Sequence, residues 1–252
     1  MRLPGKGRVA WVTGSGKGIG RAVALALAAE GWRVAVSART AADLDVLVRE
    51  APAGAITPFV LDVTDPLATA AVIARVNAEM GPIALAILNA GTHRPTPLAG
   101  FSASDLAALI DVNLMGVAHG LAALLAAPTP ARDIAVVASL AGYRGLPRAA
   151  AYGASKAAVI NLIEALKPEA DQAGIRLRLI NPGFVATPLT DLNDFPMPFL
   201  ISAEAAADYI LRGLAGGRFE IAFPYRFAWI MKLLRILPAG LFFRITRGMV
   251  AK

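Results

Sequence analysis

A tyrosine and a lysine four residues apart, Tyr152 and Lys156, form the pair in this sequence best suited to proton transfer. Residues four apart on a helix share one face, so the lysine ammonium would lie near the tyrosine phenol. A nearby positive charge favours the phenolate and lowers a pKa that is ordinarily about 10. A phenol adjusted in this way exchanges a proton with a substrate oxygen near neutral pH. The pair therefore predicts a general acid–base site.

A serine hydroxyl is predicted at the edge of a sheet shortly before this pair. Ser139 follows the apolar run 134–138, which is typical of a buried strand. Open parallel sheets bind their ligands beyond the carboxyl ends of the strands. We therefore expect the hydroxyl of Ser139 at a ligand-binding edge.

A glycine-rich turn near the N-terminus predicts a nucleotide site. It follows the strand-like run 9–13 and precedes an Ala/Leu-rich helix that is closed by Gly31. The glycines allow a tight turn and a close approach to a pyrophosphate, and the helix N-terminus offers free N–H groups. An ordinary strand-to-helix turn is the alternative. The candidate cofactor residues in this turn are Gly14, Ser15, Gly16, Lys17, Gly18, Ile19 and Gly20.

The end of the second predicted strand, 33–37, favours NADP over NAD. A carboxylate at this place would bind the 2′-hydroxyl of NAD and repel a 2′-phosphate. The sequence has Ala38 there, followed by Arg39, whose planar guanidinium suits a phosphate. Lys17 adds a second positive charge. The alternative for both basic residues is a solvated surface charge.

The rest of the chain alternates between predicted strands and helices. The strands are 57–61, 83–88, 134–139, 175–180 and 219–223, and the helices are 40–50, 65–80, 103–126, 151–173 and 203–215. We expect a break in the third of these helices near 111–112, and a kink or restart in the fourth at Pro168. The alternation predicts a single-domain Rossmann-type α/β fold, a doubly wound parallel sheet with helices on both faces.

Polar residues follow several of these strands. A carboxylate at the end of the third strand, Asp62 before Val63, is suited to accept a hydrogen bond from an adenine amino group. His93 lies shortly after the fourth strand and is interpreted as a surface-loop residue, with a place in the substrate site as the alternative. Asn113 lies within a helical run, where a core or kink role is the alternative to a functional one. The apolar loop 184–201 is predicted to be a mobile lid over an apolar pocket.

Composition excludes several classes of site. The chain has 252 residues, 56% of them hydrophobic, and no cysteine, which excludes disulfides and thiolate sites. Its two histidines lie far apart in sequence, so we expect no metal site. The N-terminus has no long apolar region typical of a signal peptide, which favours a cytoplasmic protein.

The positive charge is concentrated in the tail. The formal net charge is +7, which by itself would suggest a nucleic-acid partner. Residues 218–252, however, hold seven basic residues and one acidic residue, namely Arg218, Arg226, Lys232, Arg235, Arg244, Arg247, Lys252 and Glu220. Outside this tail we find neither base-stacking aromatic residues nor a groove-reading helix, so we expect no nucleic-acid partner.

Residues 224–252 form a predicted basic, amphipathic extension of the domain 1–223. A helical wheel for 226–237 groups Trp229, Ile230, Leu233, Leu234, Ile236 and Leu237 on one face and Lys232 and Arg235 on the other. A second apolar piece, 241–245, follows. The segment is too short to span a bilayer. Its pattern is typical of a helix lying in a membrane interface, here peripheral on the inner face, and packing on the domain or on a second subunit is the alternative.

Residues 7–223 resemble the short-chain dehydrogenase/reductase family. The matching residues are 13–20 (TGSGKGIG), Asp62, 89–91 (NAG), Asn113, Ser139, 152–156 (YGASK) and 182–187 (PGFVAT). Leu88 departs from the family pattern, in which many members have an Asn there, and we expect no effect on the chemistry.

The resemblance implies a role for each of these positions. Tyr152 would be the general acid, Ser139 would hydrogen-bond the substrate oxygen, Lys156 would lower the pKa of Tyr152 and bind the nicotinamide ribose, and Asn113 would hold a water molecule. Thr187 would contact the carboxamide, and Asn89, Ala90 and Gly91 would lie under the ribose. Val63, Pro182, Gly183 and Val185 complete the expected cofactor site. The family also implies a homodimer or homotetramer formed through helices 103–126 and 151–173.

We therefore expect an NADP-dependent oxidoreductase that interconverts a carbonyl and an alcohol on an apolar substrate, for which lipid-derived compounds are one candidate. A non-catalytic NADP(H)-binding protein that senses redox state is the alternative.

Overall fold

Seven parallel strands form one sheet in the computed structural model, which describes Leu3, residues 5–192 and residues 195–249. Their order across the sheet is β3-β2-β1-β4-β5-β6-β7. The strands are β1 (Val9–Thr13), β2 (Arg33–Ala38), β3 (Ile56–Val60), β4 (Ile83–Leu88), β5 (Asp133–Val137), β6 (Arg176–Pro182) and β7 (Glu220–Phe223). The carboxyl ends of parallel strands meet at one edge, so the loops that follow them converge there.

Helices cover both faces of this sheet. They are α1 (Gly18–Ala29), α2 (Ala41–Glu50), α3 (Pro66–Met80), α4 (Ala103–Ile110), α5 (Gly116–Ala126), α6 (Ala150–Gln172), α7 (Ala203–Ala215), α8 (Tyr225–Ile236) and α9 (Ala239–Arg247). One core contains residues of α3, α5, α6 and α8, and the other contains residues of α1, α2 and α7. Because both faces are covered, the central strands are apolar runs with no polar alternation, as in β1, where all five residues are buried. The predicted Rossmann-type fold is confirmed.

The helical run 103–126 is interrupted where the sequence predicts it. A π-helical turn, Asp111–Met115, joins α4 to α5 and contains the buried Asn113. Among the described residues this run is also the one helix long and apolar enough to cross a membrane by length and composition. Leu109, Leu121 and Leu124 are buried in the protein, as in a core helix.

Two features of the structure differ from the sequence prediction, one in α6 and one at the end of β5. Pro168 neither ends nor restarts α6, which is continuous from Ala150 to Gln172. Pro168 lies near the end of this helix, and both it and Glu164, the residue whose carbonyl loses its donor, are exposed. Strand β5 ends at Val137, and Ser139 instead caps a short 3₁₀ turn, Leu140–Gly142.

The C-terminal helices pack on the domain with part of their apolar residues, which is one of the alternatives left open by the sequence. Ala228, Met231 and Leu234 of α8 and Phe242 of α9 are buried in the core. Lys232, predicted to lie on the face opposite the apolar residues, pairs with Glu220 of β7. The prediction that put Leu234 on the same face as Trp229 is wrong, because Trp229 is 72% exposed. Residues 250–252, including the predicted basic residue Lys252, lie outside the described residues, as do residues 193 and 194 of the predicted lid.

Candidate active site

The glycine-rich turn lies at the carboxyl ends of β1 and β4. Gly18 has a φ of +56°, and a Cβ placed on it would lie 2.8 Å from Cγ2 of Thr187, so only glycine fits. Ser15 is buried and ties the turn to the sheet, since its Oγ donates to the carbonyl of Val12 and its N–H donates to the carbonyl of Ser37. Ile19 packs against the core beneath.

The N-terminus of α1 has the features of an anion site. Its N-cap is Lys17, which forms no side-chain cap, and no acidic residue lies in the first turn. Asp65, Ser102 and Ser202 cap α3, α4 and α7, whereas α2, α5, α6, α8 and α9 also begin without a side-chain cap. The first N–H groups of a helix lack partners within the helix and favour negative charge. These residues fit the pyrophosphate of a dinucleotide cofactor.

The residues that would face the adenosine lie at the ends of β2 and β3. Ala38 ends β2, and Arg39 follows it on the exposed side. The carboxylate of Asp62 accepts hydrogen bonds from the N–H and Oγ1 of Thr64 at 3.0 and 2.8 Å. The backbone hydrogen bond from Thr64 is the main reason that the pKa of Asp62 lies below its usual range, and the charge of Arg39 adds to it. Val63 is buried in the core.

Asp43 is a residue that the sequence interpretation missed. It lies in the first turn of α2, and its carboxylate is 3.5 Å from the ammonium of Lys17. It also lies against Gly16, where the predicted cofactor site opens. The sequence contained a signal for Asp43, because an acidic residue in the first turn of the helix after Arg39 lies close to the predicted cofactor site.

The segment after β4 is fixed to β1. The Oγ1 of Thr13 accepts hydrogen bonds from the N–H groups of Asn89 and Ala90, at 3.0 and 3.1 Å. The side chain of Asn89 donates in turn to the carbonyls of Thr13 and Gly14. Gly91 lies next to the side chains of Asn113 and Lys156. The structure thus brings the 89–91 segment together with the predicted catalytic residues.

The hydroxyl of Ser139 lies near the phenol of Tyr152 and donates to the carbonyl of Pro182 at 3.5 Å. Ser139 also accepts a hydrogen bond from the N–H of Ala141, which holds its hydroxyl at the start of the 3₁₀ turn. Burial raises the pKa of Tyr152, and the nearby hydroxyl of Ser139 opposes this only in part. The shift is opposite to the one predicted from the Tyr–Lys spacing, because burial disfavours the phenolate. The phenol is therefore held in the protonated form, as a proton donor must be.

Lys156 lies on the same helix, with its ammonium buried beneath the site. Its Nζ donates a 3.0 Å hydrogen bond to the carbonyl of Val137 and lies 5.9 Å from the centroid of the Tyr152 ring. Burial lowers the pKa of Lys156 to about 8. The residue can thus change charge close to neutral pH.

Asn113 connects the π-helical turn to two other segments. Its Nδ2 donates to the carbonyl of Thr92 and to Oγ of Ser155, both at 2.9 Å, and its Oδ1 accepts from the N–H of Thr92 at 2.7 Å. Both amide hydrogens are used within the protein. Asn113 therefore fixes the segment after β4 against α6.

The segment after β6 closes the other side of the site. Pro182 ends β6, and the N–H of Gly183 donates to the carbonyl of Phe223. Val185 is buried and pairs with Ile201, so both ends of the apolar loop are anchored. Thr187 lies against Gly18 of the glycine turn, where the resemblance puts a carboxamide contact.

His93 lies against the predicted general acid. Its ring contacts Tyr152 edge-to-face, with 4.8 Å between the ring centroids. The interpretation of His93 as a surface-loop residue is therefore wrong, and its position two residues after the NAG segment was the signal. Among the described residues no group of three histidine or acidic side chains could hold a metal ion.

Comparison with known proteins agrees with the family resemblance found in the sequence. The family model described as short chain dehydrogenase matches residues 8–194. An uncharacterized oxidoreductase of Myxococcus xanthus is 38% identical over 239 residues, which cover 93% of this chain and 94% of the relative. A short-chain dehydrogenase/reductase of Burkholderia phymatum in complex with NAD superposes with a TM-score of 0.82 at 26% identity, over 92% of this chain and 94% of that one. Actinorhodin polyketide ketoreductase with NADPH gives 0.76 at 26% identity, over 86% and 95%.

Proposed function

The chain belongs to the short-chain dehydrogenase/reductase family, and on this premise we propose that it is an NADP(H)-dependent oxidoreductase that interconverts a carbonyl and an alcohol on an apolar substrate. The observation that carries the proposal is the position of Ser139 next to Tyr152, with the buried ammonium of Lys156 5.9 Å from the centre of the Tyr152 ring. These groups lie at the edge of the sheet that also carries the uncapped N-terminus of α1.

In the reductive direction the bound cofactor supplies a hydride to the carbonyl carbon. Tyr152, whose phenol burial keeps protonated, donates its proton to the carbonyl oxygen. Ser139 donates a hydrogen bond to the same oxygen and stabilises the charge that develops there. Lys156 supplies a positive charge beneath Tyr152 and binds the nicotinamide ribose. Both amide hydrogens of Asn113 are already donated within the protein. The predicted water molecule would therefore donate a hydrogen bond to an oxygen of Asn113.

The preference for NADP is supported by Arg39 and Lys17. The charge on Arg39 lies beside Asp62, and Lys17 is held by Asp43 next to Gly16. Two cations at the end of β2 suit a 2′-phosphate. Each cation has one acid near it, Asp62 for Arg39 and Asp43 for Lys17.

An apolar substrate is supported by aromatic residues around the loop after β6. Phe184 stacks on Phe227 with 5.5 Å between ring centroids, and Phe199 also stacks on Phe227, with 5.9 Å between ring centroids. Phe195 contacts Phe184 edge-to-face. A carbonyl compound with an alkyl or acyl chain would find apolar contacts here.

The outer surface of α8 and α9 supports a peripheral position on an anionic membrane. Its exposed apolar side chains are Trp229, Ile230, Leu233, Ile236, Leu241, Phe243 and Ile245. A helix with apolar residues on two opposite faces needs an apolar surface to pack against on each face. No acidic residue occurs in 224–249, so two copies meeting through this surface would bring like charges together, whereas anionic lipids would complement them. We place the protein in the cytoplasm, on the inner face of the membrane, and assign its homodimer or homotetramer contact to α4–α5 and α6 instead.

The direct test is NADPH oxidation with ketones and aldehydes of increasing chain length. We expect turnover that rises with chain length and is abolished by Tyr152→Phe, with NADPH binding retained. Wild-type protein that binds NADPH but reduces no carbonyl would favour the redox-sensing alternative.

A further inference from the structure

The loop between the two proposed catalytic residues is tied to the C-terminal helices by Arg144. Its Nη1 donates to the backbone carbonyls of Leu234 and Leu237, at 2.8 and 2.5 Å, and to that of Arg235 at 3.2 Å. The guanidinium also stacks on the ring of Phe242, 4.0 Å from its centroid. One side chain thus contacts both α8 and α9.

These carbonyl groups are the ones that a helix cannot satisfy by itself. The last carbonyls of an α-helix lack N–H partners within the helix, and the negative end of its dipole lies there. A guanidinium has several donors in one plane and keeps its charge at all ordinary pH values. Arg144 therefore caps α8 from a loop 90 residues away in sequence.

The neighbouring residue makes a second tie to the same helices. The hydroxyl of Tyr143 hydrogen-bonds to the carboxylate of Glu220, which also pairs with Lys232 of α8. Asn181 donates to the same carboxylate at 2.9 Å. Burial raises the pKa of Tyr143, and Glu220 raises it further, so the phenol remains a donor. Arg144 thus binds the extension directly, and Tyr143 is joined to it through Glu220 of β7.

The extension reaches the other wall of the site through Phe227. This ring stacks on Phe184 and Phe199 of the loop after β6. It also packs closely on Gly183, where a Cβ would lie 2.7 Å from the Phe227 ring. Helix α8 therefore contacts both segments that flank the proposed substrate cleft, the 139–152 loop and the 183–201 loop.

We propose that Arg144 is a positioning residue that clamps α8–α9 across the substrate cleft and thereby holds Ser139 in register with Tyr152. The proposal rests on the proposed carbonyl–alcohol function. In this proposal the C-terminal extension helps to position the reacting groups, in addition to any role at a membrane. Cofactor binding should depend little on this clamp, since the hydrogen bonds and the ring contact of Arg144 are made with α8 and α9 and with none of the residues assigned to the cofactor.

The test compares Arg144→Ala and Arg144→Lys with Arg247→Ala, which removes an equal charge from an exposed site on α9. Each variant is measured for kcat and KM with one ketone, for the Kd of NADPH by fluorescence, and for the rate of tryptic cleavage within the extension. We expect Arg144→Ala to lower kcat by about tenfold or more, because small displacements of reacting groups cost this much. The Kd should change less than about twofold, cleavage should be faster, and Arg144→Lys should recover part of the kcat.

The outcomes separate this proposal from the proposed function. Faster cleavage with unchanged kcat in Arg144→Ala, measured well below its Tm, would show a helix cap alone and overturn the clamp. Equal losses in Arg144→Ala and Arg247→Ala would overturn it as well. Wild-type protein that binds NADPH and reduces no carbonyl would overturn both the proposed function and the clamp, whereas normal wild-type turnover leaves only the clamp at stake.

Discussion

The ammonium of Lys156 donates a 3.0 Å hydrogen bond to the carbonyl of Val137, at the end of β5. This contact fixes the lysine beneath the site, with its charge 5.9 Å from the centre of the Tyr152 ring. Burial at this place lowers the pKa of Lys156 to about 8, whereas burial raises that of Tyr152. In the proposed mechanism, Tyr152 therefore donates its proton beside a lysine that loses its charge just above neutral pH.

The rate of carbonyl reduction should fall as the pH rises through about 8. Below this value Lys156 is charged, and above it the lysine is neutral, so the positive charge proposed to assist Tyr152 is lost. The measurement is kcat/KM for a ketone from pH 6 to pH 10, which reports groups of the free enzyme. A profile that stays flat to pH 9.5 would contradict the role given to Lys156.

Replacement of Lys156 by methionine should stabilise the folded protein while abolishing turnover. The folded pKa of about 8 lies below the ordinary lysine value of 10.5, so the unfolded chain binds more protons between these pH values. Stability of the wild type should therefore rise with pH across this window, and the buried charge costs on the order of 3 kcal/mol at neutral pH. Urea unfolding of wild type and Lys156→Met at pH 7 and pH 10 tests this. A variant less stable than wild type at pH 7 would contradict it.

Cofactor preference should depend on Arg39. In Arg39→Asp a carboxylate replaces the guanidinium at the end of β2, so a 2′-phosphate is repelled and a 2′-hydroxyl gains an acceptor. We expect the ratio of kcat/KM for NADPH to that for NADH to fall by about tenfold or more, as for the loss of one charged hydrogen bond. The matched control is Arg49→Asp, at an exposed position in the last turn of α2. An equal change in both variants would leave only a general effect of charge.

The elements were more predictable than the contacts between them. The bounds of β1, β4 and α7 agree with the sequence prediction, because apolar runs with clear end signals determine such segments locally. The interruption near Asp111 was also predictable, since Asn113 is a poor helix former. The face of α8 that packs against the core was not predictable from the sequence. A helical wheel separates apolar from charged residues, but α8 has apolar residues on two faces, and only tertiary packing decides that Met231 is buried and Trp229 exposed.

The same limit applies within the site. Motif spacing identified Ser139, Tyr152 and Lys156, but the contact of His93 with Tyr152 depends on the path of the segment after β4. The hydrogen bonds of Arg144 depend on where α8 ends. Contacts between loops and distant helices follow from the assembled fold, which local sequence patterns do not encode.

Gly142 should be essential for the distance between Ser139 and α6. A Cβ at this position would lie 2.8 Å from the backbone carbon of Lys156 and from Cδ1 of Ile160, so alanine must push the 3₁₀ turn away from the helix. We expect Gly142→Ala to lower kcat by about a hundredfold and stability by roughly 1–3 kcal/mol. Gly145→Ala is the matched control in the same loop, since nothing lies within 4 Å of its Cβ. Similar kinetics for the two variants would contradict the proposed register.

The outer surface of α8 should carry the affinity for membranes. Trp229 and Ile236 are 72% and 76% exposed, and burial of each in lipid is worth about 1.5–3 kcal/mol. Trp229→Glu combined with Ile236→Glu should therefore lower affinity for vesicles with anionic lipids by about a hundredfold or more in a sedimentation assay. The control is Leu67→Glu, which changes an equally exposed apolar residue, 81% exposed, at the start of α3. Wild-type binding should also weaken with salt, because Arg226, Arg244 and Arg247 contribute attraction that salt screens. A double variant that binds vesicles normally but has lost dimers would show that a second copy, and not lipid, covers this surface.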